Sequence, residues 1–157
     1  MGRLTRRSLL GLSVGTGLSA VAPVSWGTDV PDERSQVAAV ARDYLESWYT
    51  ADADRMGQAL HPDMVKRYVD ALPTGRQVVH SLTRNLMIEM TRGGGGSKLP
   101  PESRQIVVDV LDVSGDIAVA RASSSEYLEY LSLAKCNGQW AIINILWRFQ
   151  AGAGGRR

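Results

Sequence analysis

The sequence predicts an α+β domain in which helices from the first half of the chain pack on one face of an antiparallel sheet from the second half. Three observations lead there. Val37, Val40, Ala41, Tyr44, Leu45, Trp48 and Tyr49 recur with helical spacing. From Arg104 onward, runs rich in valine and isoleucine alternate with turn signals such as Ser114-Gly115-Asp116. Asn137-Gly138 separates two long apolar runs, and this dipeptide suits the type I′ turn of a two-residue hairpin. Helices followed by strands indicate α+β packing.

Residues 1–27 read as an export signal. Arg3, Arg6 and Arg7 form a basic start, Leu9 to Val24 a mildly apolar core, and Ser25-Trp26-Gly27 a small-residue exit. The run Thr5-Arg6-Arg7-Ser8-Leu9-Leu10 resembles a bacterial twin-arginine signal. This implies an exported, periplasmic or secreted protein that meets the membrane only in transit. The alternative, a retained anchor, is disfavoured by a core of 16 residues interrupted by glycine, short of the ~20 a spanning helix needs.

The domain is expected over residues 28–151. Asp32 is placed to cap a first helix from about 33 to 50. Asp52 is a good N-cap for a short second helix with Met56, Ala59 and Leu60, ended by Pro62. Met64 to Val69 fits a short strand or an irregular passage. After a loop at Pro73-Thr74-Gly75, the spacing of Val79, Leu82, Leu86 and Met90 predicts a third helix from about 76 to 92. Gly93 to Gly96 reads as a plain loop: no Gly-Lys-Ser/Thr follows it to make a phosphate cradle. Four strands in a meander then follow, and the Gly/Arg-rich tail 152–157 is expected to be disordered.

The tight turn sets an expected hairpin register: Cys136 opposite Gln139, Ala134 opposite Ala141, Tyr130 opposite Ile145, Leu128 opposite Trp147. One face then carries Leu128, Tyr130, Ser132, Ala134, Ala141, Ile143, Ile145 and Trp147. The other carries Leu131, Leu133, Trp140, Ile142 and Leu146, with Glu129, Lys135 and Arg148. Both faces are apolar. The helices are assigned the uncharged face, and the other is expected to meet a second copy in a homodimer through the sheet.

The pI of about 8.9 does not mark a nucleic-acid binder. Residues 1–27 hold three arginines and no acid, leaving 15 Lys and Arg against 16 Asp and Glu in the rest. Cys136, the one cysteine, excludes an intrachain disulfide and reads as a small packing residue.

Tyr44-Leu45-Glu46-Ser47-Trp48-Tyr49-Thr50-Ala51-Asp52, Arg55-Met56 and Ala59-Leu60-His61-Pro62-Asp63 resemble the opening of the putative lumazine-binding family, within the nuclear transport factor 2-like superfamily. Ser125 to Lys135, Asn137-Gly138-Gln139-Trp140 and Ile145-Leu146-Trp147 are similar to its ending. The resemblance, over roughly residues 35 to 149, implies a cone of curved sheet closed by three helices, often dimeric, with a pocket inside. The superfamily hosts isomerases, cyclases, dehydratases and non-catalytic binders, so the fold does not name the ligand.

Its ketosteroid isomerases carry an oxyanion-hole tyrosine eight residues before an aspartate at the end of the first helix, where this chain has Tyr44 and Asp52. The resemblance makes Tyr44 a candidate anchor for a developing oxyanion, with Asp70 or His61 as candidate base. Tyr68 stands where the isomerases have their basic aspartate, so that set is incomplete. The other reading of Tyr44 is a hydrogen-bonded core tyrosine, and of His61 a structural hydrogen-bonder. His61, Asp63 and His80 fit no metal-ligand spacing, and neither metal nor cofactor is expected. Ser123-Ser124-Ser125 reads as a polar strand end.

Tyr44, Trp48, Tyr68, Tyr130 and Trp147 are the candidate lining of a pocket for a flat apolar ligand with one or two hydrogen-bonding groups. Three functions follow: a non-catalytic binder, which is favoured; an isomerase-, cyclase- or dehydratase-type enzyme; or a structural dimerisation module with a filled cone. An acid or histidine about 3–4 Å from the Tyr44 hydroxyl in a dry cavity would point to the enzyme.

Overall fold

A computed structural model describes residues 32–151; the export signal expected over residues 1–27 and the 152–157 tail lie outside them. The helices are α1 (Glu33–Thr50), α2 (Ala53–Ala59) and α3 (Arg84–Arg92). The strands are β1 (Leu60–Ala71), β2 (Gln77–Thr83), β3 (Val107–Ser114), β4 (Ile117–Ser123), β5 (Tyr127–Cys136) and β6 (Gln139–Phe149). The strands form one sheet in the order β2-β1-β6-β5-β4-β3. β1 runs parallel to β6 and every other pair is antiparallel, so the sheet is mixed rather than wholly antiparallel.

The capping residues act as their types dictate. Asp32 accepts from Ser35 N at 2.6 Å and Asp52 from Arg55 N at 2.9 Å, each satisfying an amide that the first helical turn leaves open. Val37, Ala41, Tyr44, Leu45 and Tyr49 are buried on the α1 stripe. Arg55 ties α2 back to α1 through Asp43 and Glu46. Ala118, Ala120 and Ala122 are all buried on one face of β4, and α1 packs against that strand and its neighbour β3. Three methyl-sized side chains allow the helix to lie close.

The expected third helix is corrected. Residues 77–83 form β2, antiparallel to β1, and the helix starts only at Arg84. Thr83 caps it, accepting from Leu86 N at 3.3 Å. Val79, Leu82, Leu86 and Met90 fit a helical period only because a strand and a helix abut there. Pairing with β1, across a turn in which Gly75 has φ 79°, overrides that period. Helix α2 stops at Ala59, and Pro62 lies inside β1, where the ladder to β6 shifts between Leu60 and Val65. A proline, lacking the N–H, is tolerated at such an irregularity.

The hairpin turn forms at Asn137 (φ 52°) and Gly138 (φ 80°). Its register holds through Leu133 opposite Ile142. A bulge then sets Ser132 opposite Asn144, so Tyr130 faces Leu146 and Glu129 faces Trp147. The helices cover the face expected to be free. Leu131, Leu133, Trp140 and Ile142 belong to the core, together with Ile145 from across the bulge. Glu129 is buried there too, at 1% exposure. The other face, with Tyr130 and Leu146 about half exposed, is the one left open. Cys136 is exposed rather than packed.

Candidate functional site

Alternation along β1 turns Met64, Lys66, Tyr68 and Asp70 toward the helices. Met64 and Lys66 are buried, the lysine at 6% exposure. Its ammonium reaches Tyr44 on α1 and Glu129 on β5. Nζ donates to the Tyr44 hydroxyl at 2.7 Å and to Glu129 Oε1 at 2.5 Å. The Tyr44 hydroxyl donates to the same Oε1 at 3.3 Å, closing a triangle. Nζ also stands 4.8 Å from the Trp147 ring centre, 5.4 Å from that of Tyr44 and 5.7 Å from that of Tyr127. Cation–π attraction adds to the ion pair in this dry setting.

This group forms the polar end of a cavity of about 160 Å³. Leu45 and Trp48 of α1, Leu82 of β2, Met87 and Met90 of α3, and Tyr127, Trp147 and Phe149 of the hairpin supply the rest of the wall. Met90 and Phe149 are about two-fifths exposed and mark its outer end. Trp48 is held from behind by the four-glycine loop. A Cβ at Gly95 would lie 2.5 Å from Trp48 O, and one at Gly96 would lie 2.7 Å from Trp48 Nε1 and from the Tyr49 ring. The run of glycines lets a backbone press against the end of α1.

Burial, and then the Glu129 carboxylate beside it, push the Tyr44 phenol well above its ordinary pKa, so it stays a neutral donor. Burial, and then the charges of Glu126 and Glu129, raise Tyr127 to about 12. Glu129 Oε2 and Trp147 Nε1 are buried with no hydrogen-bond partner among the described residues.

Of the residues singled out in the sequence, Tyr44, Trp48 and Trp147 meet in this cavity. Tyr68 stands behind the wall, stacked on His80 at 5.0 Å and leaning on Trp147 at 5.0 Å. Alternation along β5 puts Tyr130 on the sheet face opposite Glu129 and Leu131, away from the cavity. His61 accepts from Asp63 N at 3.2 Å in a local turn. Asp70 Oδ2 lies 3.8 Å from His80 Nε2. Neither His61 nor Asp70 lines the cavity; the acid beside Tyr44 is Glu129. Ser124 is structural, accepting from the Tyr49 hydroxyl at 2.8 Å and from Tyr127 N at 3.1 Å. No group of three or more His, Cys, Asp and Glu gathers at metal-binding distance among the described residues.

Lys66, Glu129, Tyr127, Met87, Met90 and Phe149 were not read from the sequence. Alternation from Met64 through Lys66 to Tyr68 was the available sign for the lysine. Alternation already set Glu129 on the face of Leu131 and Leu133, but that face was assigned to a second copy rather than to the helices.

Residues 32–148 match the model of a family described as putative lumazine-binding. Among solved structures, the chain is similar to an NTF2-like protein of unknown function from Shewanella baltica, with TM-score 0.57, 16% identity, and coverage of 75% of this chain and 94% of that one. An NTF-2 like protein of unknown function from Silicibacter pomeroyi gives TM-score 0.54 at 15% identity, covering 74% and 94%. A ketosteroid isomerase-like protein from Erwinia carotovora gives TM-score 0.50 at 17% identity, covering 75% and 96%. At these identities the likeness is one of fold. No curated protein matches the chain.

Proposed function

The chain belongs to the putative lumazine-binding family, and from that premise we propose that it is an exported small-ligand-binding domain whose ligand occupies the cavity beside Lys66. The observation that carries this reading is an apolar cavity of about 160 Å³ closed at its inner end by Tyr44, Lys66 and Glu129. An engineered apolar cavity of about 150 Å³ holds benzene, so the volume suits one ring. Lumazine, the pteridine in the family's description, carries polar groups around two fused rings, and apolar walls would leave most of them unpaired. Titration with single-ring compounds, followed by the fluorescence of Trp48 and Trp147, tests the reading. Saturable quenching is expected, and Met90→Trp, which fills the outer end, should abolish it. Quenching that never saturates, or that survives Met90→Trp unchanged, would overturn the reading.

A second reading is an enzyme with Tyr44 as oxyanion donor and Glu129 as base. The 3.3 Å between Tyr44 and Glu129 favours it. The ion pair to Lys66 opposes it, because Glu129 Oε1 is already engaged by the ammonium and by the Tyr44 hydroxyl. Deuterium exchange next to the carbonyl of a bound ketone in heavy water would decide for the enzyme.

Export rests on Arg6-Arg7 ahead of the apolar run. Changing both to lysine should leave the protein unprocessed. Dimerisation is reassigned to the open sheet face, where Val69, Tyr130, Leu146, Val119 and Ile117 are each at least two-fifths exposed. Arg67 and Arg148 lie toward one side of that face; at the other, Asp109 and Asp112 of β3 lie with Arg121 of β4 and leave one net negative charge. A two-fold axis along the strands would set basic against acidic. Leu146→Asp should convert a dimer to a stable monomer in sedimentation, whereas a wild-type monomer at tens of micromolar would end this proposal.

A further inference from the structure

The polar end of the cavity is neutral as a unit. Lys66 has three N–H donors and directs two of them at Tyr44 and Glu129. The Tyr44 hydroxyl gives its proton to Glu129 Oε1 and accepts from Lys66, so it is occupied in both directions. Glu129 Oε1 receives both bonds, while Oε2 is buried without a partner among the described residues. The unit therefore holds one buried acceptor without a donor, one ammonium proton beyond the two directed bonds, and no net charge. We infer that the cavity selects an uncharged single-ring ligand bearing one hydroxyl, a simple phenol. Its O–H donates to Glu129 Oε2 and its oxygen accepts from Lys66. This rests on the reading that the cavity is a ligand site, and adds the ligand's chemical class.

Other single-ring guests fit less well. A carboxylate would bring a second anion beside Glu129, with Lys66 the one cation in the cavity wall among the described residues and already paired. An ammonium would suit the rings of Tyr44, Tyr127 and Trp147, but Lys66 already occupies the space over them at 4.8–5.7 Å and would repel it. A plain hydrocarbon would fill the volume yet leave Oε2 without a donor, as it is now.

Calorimetric titration of the wild-type protein with phenol, toluene, benzoate and benzylammonium at neutral pH tests this. Phenol should bind about tenfold or more tighter than toluene, the advantage expected of hydrogen bonds to charged groups. Benzoate and benzylammonium should give no saturable heat. Toluene equalling phenol would overturn the hydroxyl selection and leave the cavity standing as a ligand site. Benzoate or benzylammonium binding tightest would overturn the charge selection. If none of the four binds, the ligand-site reading falls together with this one. The double variant Lys66→Met/Glu129→Leu should keep toluene and lose the preference for phenol; a preserved preference would overturn the assignment to these two residues. If that variant does not fold, the wild-type series decides alone.

Discussion

The space between α1 and the sheet has two ends built in opposite ways. Toward β3 and β4 it is filled. Val37 and Ala41 of α1 and Ala118 and Ala120 of β4, with Leu131, Leu133 and Ile142 of the hairpin, are all at most 5% exposed and belong to one apolar cluster. Toward β1 it is hollow. There Tyr44, Lys66 and Glu129 hold one another by polar bonds, and Trp48 and Trp147 stand as walls. Helix and sheet are continuous between the ends, so the difference lies in side-chain size and polarity. Small apolar groups let the layers close. A buried ion pair fixed from three elements keeps its shape and leaves a gap beside it. Apolar packing is concentrated at the filled end, and the proposed ligand site at the hollow one.

That contrast can be broken by substitution. Glu129→Leu alone strands the Lys66 ammonium in the interior, and should cost about 3–5 kcal/mol in urea denaturation. Adding Lys66→Met should recover most of that loss, because a buried ion pair replaced by apolar groups of similar volume is often neutral or stabilising. No recovery would mean that the hollow end depends on the charges themselves. At the filled end, Leu131→Ala should cost about 2–5 kcal/mol by the same measurement, with ligand binding retained. Loss of binding there would show that the two ends are not independent.

Smaller effects sharpen the comparison. Tyr44→Phe removes a hydroxyl bonded to both charged partners, and should cost about 1.5–3 kcal/mol. The hydroxyl is satisfied within the protein, as expected of a core tyrosine, while the residue also lines the cavity. In alkali, burial first of all holds the pKa of Tyr44, Tyr49 and Tyr127 above the ordinary phenol value of 10.0. The neutral phenols stabilise the fold fully below pH 10, and that contribution is lost as pH rises from there through the raised values. Phenolate absorbance should therefore show these three ionising together with unfolding, above pH 10. Independent ionisation of Tyr44 in a folded protein would mean that the hollow end opens to water.

Much of the filled end was legible in the sequence. The α1 stripe, the caps at Asp32 and Asp52 and the turn at Asn137-Gly138 are local signals, and local physics decides them. The hollow end was legible only in part. Tyr44, Trp48 and Trp147 could be named as aromatic. Lys66 could not, because a lysine is rarely buried without a partner, and its partner Glu129 stands far along the chain on β5. The hairpin is apolar on both faces, so a one-residue bulge carries no penalty visible in the pattern. That bulge, in β6, brought Ile145 and Trp147 to the face of Glu129 and Leu131. Strand β2 was hidden because its apolar residues and those of α3 happen to continue one helical period.

The parallel pairing of β1 with β6 also bears on how the chain reaches its fold. Lys66 lies beside Ile145, and Arg67 beside Leu146. At on the order of 5–20 residues per second, a ribosome takes seconds to make the β6 partner after β1 has been made. Until then the hairpin of β1 and β2 has an unpaired edge, and Lys66 lacks Glu129. Contacts so distant in sequence slow folding, and the wall of the cavity is completed only when the last strand docks. A chain stalled before β6 exposes that edge to any neighbouring strand, so this juncture is where a chaperone or an aggregate would compete for the nascent protein.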